Sequence, residues 1–137
     1  MAKFIVDGDG AIFGRMASEV AKELLKGNSV EIINCEKIIV SGDKKFIVEK
    51  INSKRKMGSG GSLKGPKYIR QEDRLVKRMI RGMLPRDRTK GQEAYKRLKC
   101  HVGLGDLKEE NLKNVRKFDH QKPRKFSTIK HFVRLLR

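Results

Sequence analysis

Acidic residues thin out after the first fifty positions of this sequence, and tryptophan does not occur in it at all. The 137 residues hold 34 Lys and Arg against 16 Asp and Glu, with two cysteines and three prolines. No apolar stretch approaches the ~18–20 residues of a membrane-spanning helix. The opening residues, Met1 to Gly10, carry neither the apolar stretch nor the small-residue cleavage site of an export signal. An intracellular protein with reduced thiols is therefore expected. Cys35 and Cys100 stand alone rather than in CxxC pairs, so they point to neither a zinc site nor a disulfide framework, and the expected role is as small buried apolar groups. There is no Walker sequence and no HExxH, and His101, His120 and His131 are scattered. No nucleophile, base and orienting group can be assembled, so neither a catalytic site nor a cofactor is expected.

The charge that is present is unevenly placed. Residues 1–50 carry eight bases and eight acids, residues 51–90 thirteen bases and three acids, and residues 91–137 thirteen bases and five acids. The whole excess of +18 therefore follows residue 50. A chain of this length fits one domain with one hydrophobic core. We divide that domain, 1–137, into a charge-neutral core (1–50), a basic glycine loop and helix (51–90) and a less patterned C-terminal extension (104–137). Segregated positive charge of this size calls for a polyanion.

Phe4-Ile5-Val6 reads as a strand running into the turn Asp7-Gly8-Asp9-Gly10. From Arg15 to Lys26, Met16, Ala17, Val20, Ala21, Leu24 and Leu25 form one apolar stripe, and Gly27 is a natural stop. Val30–Asn34 is a second strand, so the first thirty-odd residues form a βαβ unit with parallel strands. Ile38–Val40 is a third strand. Asp43 then caps a helix to about Lys56, with Phe46, Ile47 and Ile51 on its apolar side. The glycine-rich segment 57–66 is a loop. Over Gln71–Met83, at about 100° per residue, Arg74, Lys77, Arg78 and Arg81 share one sector, opposite Leu75, Val76, Met79, Ile80 and Met83. A short helix over Gln92–Lys99, a strand over Cys100–Val102, a turn of helix near Leu107–Leu112 and a final helix capped by Ser127 or Thr128 complete the reading. The final helix has Ile129, Phe132, Val133 and Leu136 inward.

Two constellations compete for function. Gly8-Asp9-Gly10-Ala11-Ile12-Phe13-Gly14 sits between a strand and a helix, as a dinucleotide fingerprint does. Phe13 occupies the place of the third glycine, and Asp7 and Asp9 repel phosphate. A nucleotide-binding enzyme built on this turn is the alternative, and a plain strand-to-helix turn is the simpler reading. The basic set is larger: Lys54, Arg55, Lys56, Lys64, Lys67, Arg70, Arg74, Lys77, Arg78, Arg81, Arg86, Arg88 and Lys90, with Tyr68 placed to stack on a base and Arg15 at the first helix. A basic amphipathic helix also suits a membrane surface, but the apolar face of 71–83 has no Trp or Phe anchor and reads as core. We therefore expect RNA and no membrane as the partner.

Arg81-Gly82-Met83-Leu84-Pro85 resembles the GMLP signature of the universal large-subunit ribosomal protein L thirteen family. Gly14-Arg15-Met16-Ala17-Ser18 resembles the family's helix opening. Asn34-Cys35-Glu36-Lys37-Ile38-Ile39-Val40-Ser41-Gly42 and Leu98-Lys99-Cys100-His101-Val102-Gly103 resemble two further segments, in the same order over residues 4–103. The compact length and the lack of a His-rich stretch after Gly103 resemble the archaeal and eukaryotic branch, on its archaeal side. The resemblance implies an α/β fold, a three-layer α/β/α arrangement around a small, mainly parallel sheet. It also implies a non-catalytic structural role on large-subunit ribosomal RNA, beside neighbouring ribosomal proteins in the cytoplasmic ribosome. A free RNA-binding regulator is the remaining alternative.

Overall fold

The computed structural model describes residues 1–58, 60–62, 64–105, 107 and 115–136. Strand β1 (Lys3–Asp7) leads through the Gly8–Ala11 turn into helix α1 (Phe13–Leu25) and then strand β2 (Ser29–Ile33). β1 and β2 pair in parallel with Phe4 opposite Val30 and Val6 opposite Ile32, as a βαβ unit requires. Strand β4 (Leu98–Cys100) adds to the free side of β2 and strand β5 (Val115–Lys117) to that of β1, both in parallel. The four-stranded sheet thus has the order β4-β2-β1-β5. Ile5, Val6, Val30, Ile32 and Ile33 are all buried, so the central strands are covered on both faces, which is the usual state of a parallel sheet. The structure is the small α/β fold expected from the sequence.

One face of the sheet joins the main core. Met16, Ala17, Val20, Ala21 and Leu24 of α1 pack with Val6, Val30, Ile32 and Leu98, and Gly27 ends the helix at φ +100°. On the other face Glu31 is 6% exposed, and it is paired with Lys3 at 3.1 Å and Lys99 at 3.7 Å. A carboxylate so placed needs such partners, because burying it alone costs several kcal/mol (about). Strand β3 (Ile39–Ser41) leaves this sheet and pairs antiparallel with strand β6 (Phe126–Thr128). From β6 the chain enters helix α5 (Ile129–Leu136), where Thr128 Oγ1 accepts from the His131 amide and Ile129 and Val133 are buried in the core. The described part of the C-terminal extension is therefore built into the fold. The side chains of Phe132 and Leu136, and the helical turn expected near Leu107–Leu112 apart from Leu107 itself, lie outside the described residues.

Four expectations need correction. Helix α4 covers Thr89–Lys96 rather than Gln92–Lys99, and the strand after it is Leu98–Cys100 rather than Cys100–Val102. Pairing of Leu98 with Val30 draws this leucine into the sheet, and so short a strand has no periodicity of its own to read. Phe46 is not on a buried side: helix α2 (Lys44–Arg55) buries no residue fully, and Phe46 is 67% exposed. Met83 lies beyond helix α3 (Glu72–Arg81), in the turns that follow it, and is 42% exposed. In its place Leu84 fills the core.

Leu75 and Gly91 test this packing. Leu75→Ala should lower unfolding free energy by about 2–5 kcal/mol, because the side chain is fully enclosed. A methyl group at Gly91 would run into the Pro85 carbonyl, so Gly91→Ala should cost about 1–3 kcal/mol through overpacking. Urea denaturation of the two variants checks both.

Candidate nucleic-acid interface

Helix α3 positions the basic surface. Leu75, Val76 and Ile80 are buried, while Arg74 on the other side is exposed. Glu72 and Asp73 occupy the first turn and Arg78 and Arg81 the last, which is the favourable order for the helix dipole. The four cations of the α3 stripe are not equivalent. Lys77 Nζ lies 5.1 Å from the centre of the Tyr95 ring, and Arg78 Nη1 donates to the Lys67 carbonyl at 2.8 Å. Arg78 therefore fastens the 64–70 segment to α3, leaving Lys64, Lys67 and Arg70 exposed along it.

A concavity of about 320 Å³ opens where this segment meets the end of α2, lined by Asn52, Arg55, Lys56, Tyr68 and Arg70. Two stretches of the basic set thus converge on one hollow. Tyr68 also packs against the core, and its burial pushes the phenol pKa up while the nearby Arg78 charge pulls it down. Its hydroxyl is therefore a protonated donor at neutral pH. Half-buried, it offers only part of its surface for stacking. Lys54, Arg86, Arg88 and Lys90 are exposed, the last three around the start of α4, and Arg81 is half-buried. Gly58 and Gly61 have open space where a side chain would be, so the loop backbone is approachable.

Arg15 does not join this surface. It lines a separate cleft with Ile12, Gly14, Ser41 and residues 121–124. That cleft, and the basic residues Lys44, Lys45, Lys122, Arg124 and Lys125 around it, did not emerge from the sequence. The doublet Lys44-Lys45 and the run Lys122-Pro123-Arg124-Lys125 were visible as charge, but only the β3–β6 pairing brings them together.

The Gly8–Gly14 turn uses its polar groups internally. The Gly8 amide donates to Ile33 O, the Ala11 amide to Gly8 O, and the Asp9 amide to Asp7 Oδ1. Asn34 Nδ2 also donates to Asp7 Oδ1. A side chain at Gly8 would strike Ile38 and the Ile33 carbonyl, so this glycine serves close packing of the chain. Among the described residues, no three His, Cys, Asp or Glu side chains gather as metal ligands. Nor is any helix among them long and apolar enough to cross a membrane. Cys35 and Cys100, far apart in sequence, are neighbours through the β2–β4 register, and both are free thiols. The adjoining Cys100 sulfur, and then burial, push the Cys35 pKa far above that of an ordinary thiol.

The sequence pattern of the family described as ribosomal protein L13 matches residues 2–106. The chain belongs to the ribosomal protein L13 family. It is 36% identical over 132 residues to large ribosomal subunit protein uL13 of Picrophilus torridus, covering 96% of this chain and 94% of that protein. It is 37% identical to uL13 of Methanocaldococcus jannaschii, over 94% of this chain and 90% of that one. With uL13 of Methanosphaera stadtmanae it shares 45% identity over 102 residues, 73% of this chain and 72% of the relative. These relatives are archaeal, and the chain is of the archaeal type of L13. The L13 pattern covers the whole α2–α3 surface, while the β6–α5 closure lies outside it.

The two thiols of this L13 chain should react very differently. In the native protein at pH 8, a thiol reagent should label Cys100 and leave Cys35 untouched until denaturant is added, as peptide mass spectrometry would read. Equal labelling of both in the folded state would contradict the enclosed position of Cys35.

Proposed function

We propose that this chain is a non-catalytic, structural component of the large ribosomal subunit in the cytoplasmic ribosome. In this reading it binds large-subunit ribosomal RNA through the basic surface of residues 54–90 and favours the assembled RNA, beside neighbouring ribosomal proteins. The observation that carries it is the division of α3, which commits Leu75, Val76 and Ile80 to the core and sets its cations on the other side, Arg74 in solvent, Lys77 over the Tyr95 ring and Arg78 on the 64–70 segment. Phosphates in a folded RNA meet such cations without any reaction, and recognition is mainly of backbone and shape. The family and the names of its relatives support the ribosomal setting. The internal bonding of the Gly8–Gly14 turn speaks against a nucleotide enzyme.

Arg74 and Arg70 are exposed and carry the cleanest test. Log affinity for a ribosomal RNA fragment should fall against log salt with a slope of about −0.7 to −0.9 per phosphate engaged. Arg70→Glu with Arg74→Glu should weaken binding and flatten that slope while leaving thermal unfolding of the free protein unchanged. Binding that ignores salt would sink the reading. Co-sedimentation with large subunits in high salt separates a structural component, which stays, from a free regulator, which washes off.

A further inference from the structure

The cleft around Arg15 and the hollow beside it form a second basic surface at the opposite end of α2 from the Tyr68 concavity. The first is lined by Arg15, Lys122 and Arg124 with Ser41 and Gln121, and no acid among the described residues lines it. Its volume is about 610 Å³. Arg124 also lines the adjoining hollow, of about 640 Å³, together with Lys44, Lys45 and Lys125. The two hollows thus adjoin at Arg124, and together they are called the groove. The one carboxylate among its described lining residues, Asp43, is already engaged: it accepts from the Lys45 amide at 3.0 Å and lies 4.0 Å from Lys125 Nζ.

The groove is built rather than incidental. The Gly42 amide donates to Lys125 O at 2.9 Å, and Ser41 pairs with Phe126, so the basic run 122–125 is held beside the start of α2. Gly14 at its edge has nothing within 4 Å of where a side chain would project, so a chain can approach there closely. Next to Lys45 stands Phe46, 67% exposed and outside the core packing. Phe46 lines neither hollow but follows Lys45, which does, so its exposed ring stands one residue from the groove. An exposed ring next to cations is the combination that binds unpaired nucleic acid, with cations on the phosphates and the ring under a base. An acidic peptide would use the cations and leave the ring without a partner.

We infer that this groove seats a second, single-stranded RNA segment, its backbone along Arg15, Lys122, Arg124 and Lys45 and one unpaired base on Phe46. The inference rests on the RNA-binding reading and adds a separate surface with its own preference for unpaired bases. The full chain would be titrated with an oligouridylate of about ten nucleotides and with a blunt RNA duplex, across a range of salt. Phe46→Ala should weaken oligouridylate binding about 5- to 150-fold and leave duplex binding unchanged, and Phe46→Tyr should restore it. Arg15→Gln, Lys122→Gln and Arg124→Gln together should lower the single-strand salt slope by about 2. Circular dichroism on each variant confirms folding, and only folded variants are scored. If these variants bind oligouridylate as the wild type does, while Arg70→Glu with Arg74→Glu still loses duplex binding, the groove is not an RNA seat and the wider reading survives. If they lose a polyglutamate peptide instead of RNA, the partner is an acidic protein and the inference falls. If the unaltered chain binds neither RNA, both readings fall together.

Discussion

The burial of Leu75, Val76 and Ile80 is the contact on which the basic surface depends. A chain with a net charge of +18 gains nothing from bringing its cations together, because they repel one another. The apolar side of α3 overcomes this repulsion: each fully enclosed aliphatic side chain contributes about 1.5–3 kcal/mol, while exposed like charges are softened by water and salt. The core thereby fixes where the charge must stand. Arg78 extends this one step further, since its bond to the Lys67 carbonyl carries the anchoring from the helix to the segment that bears Lys64, Lys67 and Arg70.

The same logic explains the neutral first third of the chain. Residues 1–50 supply most of the described apolar core and balance their acids and bases locally, as in Lys22 with Glu19, Lys26 with Glu23 and Lys3 with Glu31. Acids here have partners within the protein. Residues 51–90 carry thirteen bases against three acids, so most of the counter-charge there has to come from solution or from a ligand. In the proposed reading an RNA phosphate backbone would supply it, releasing bound ions as it did so.

How much of this was legible depended on whether a signal was local. The two-sided pattern of α3 and the stripe of α1 repeat over several turns, so their faces could be read directly and are where the sequence places them. The Asp43 cap is a single residue with a specific partner, and it too was readable. β4 was misplaced because Leu98 suits a helix's inner side and a strand equally well, and only its partner Val30 decides between them. Phe46 was assigned inward by its chemistry, yet among the described residues that position of α2 is left 67% exposed. The groove beside it was invisible because its two halves come from opposite ends of the sequence and meet only through β3 and β6.

α2 itself explains why such an exposed helix is kept straight between two basic hollows. It buries no residue fully, yet Asp43 caps its start and α5 packs along it, while α5 is in turn anchored by Ile129 and Val133. From Lys45 to Arg55 the rise is about 15 Å at ~1.5 Å per residue, so the two hollows are held at a fixed spacing by a rigid rod. If two segments of one RNA occupy the two ends, as proposed above, seating the first would present the second at high effective concentration, with no new contact between them. The helix thus acts by the distance it maintains, and a flexible linker with the same charges would lose that advantage.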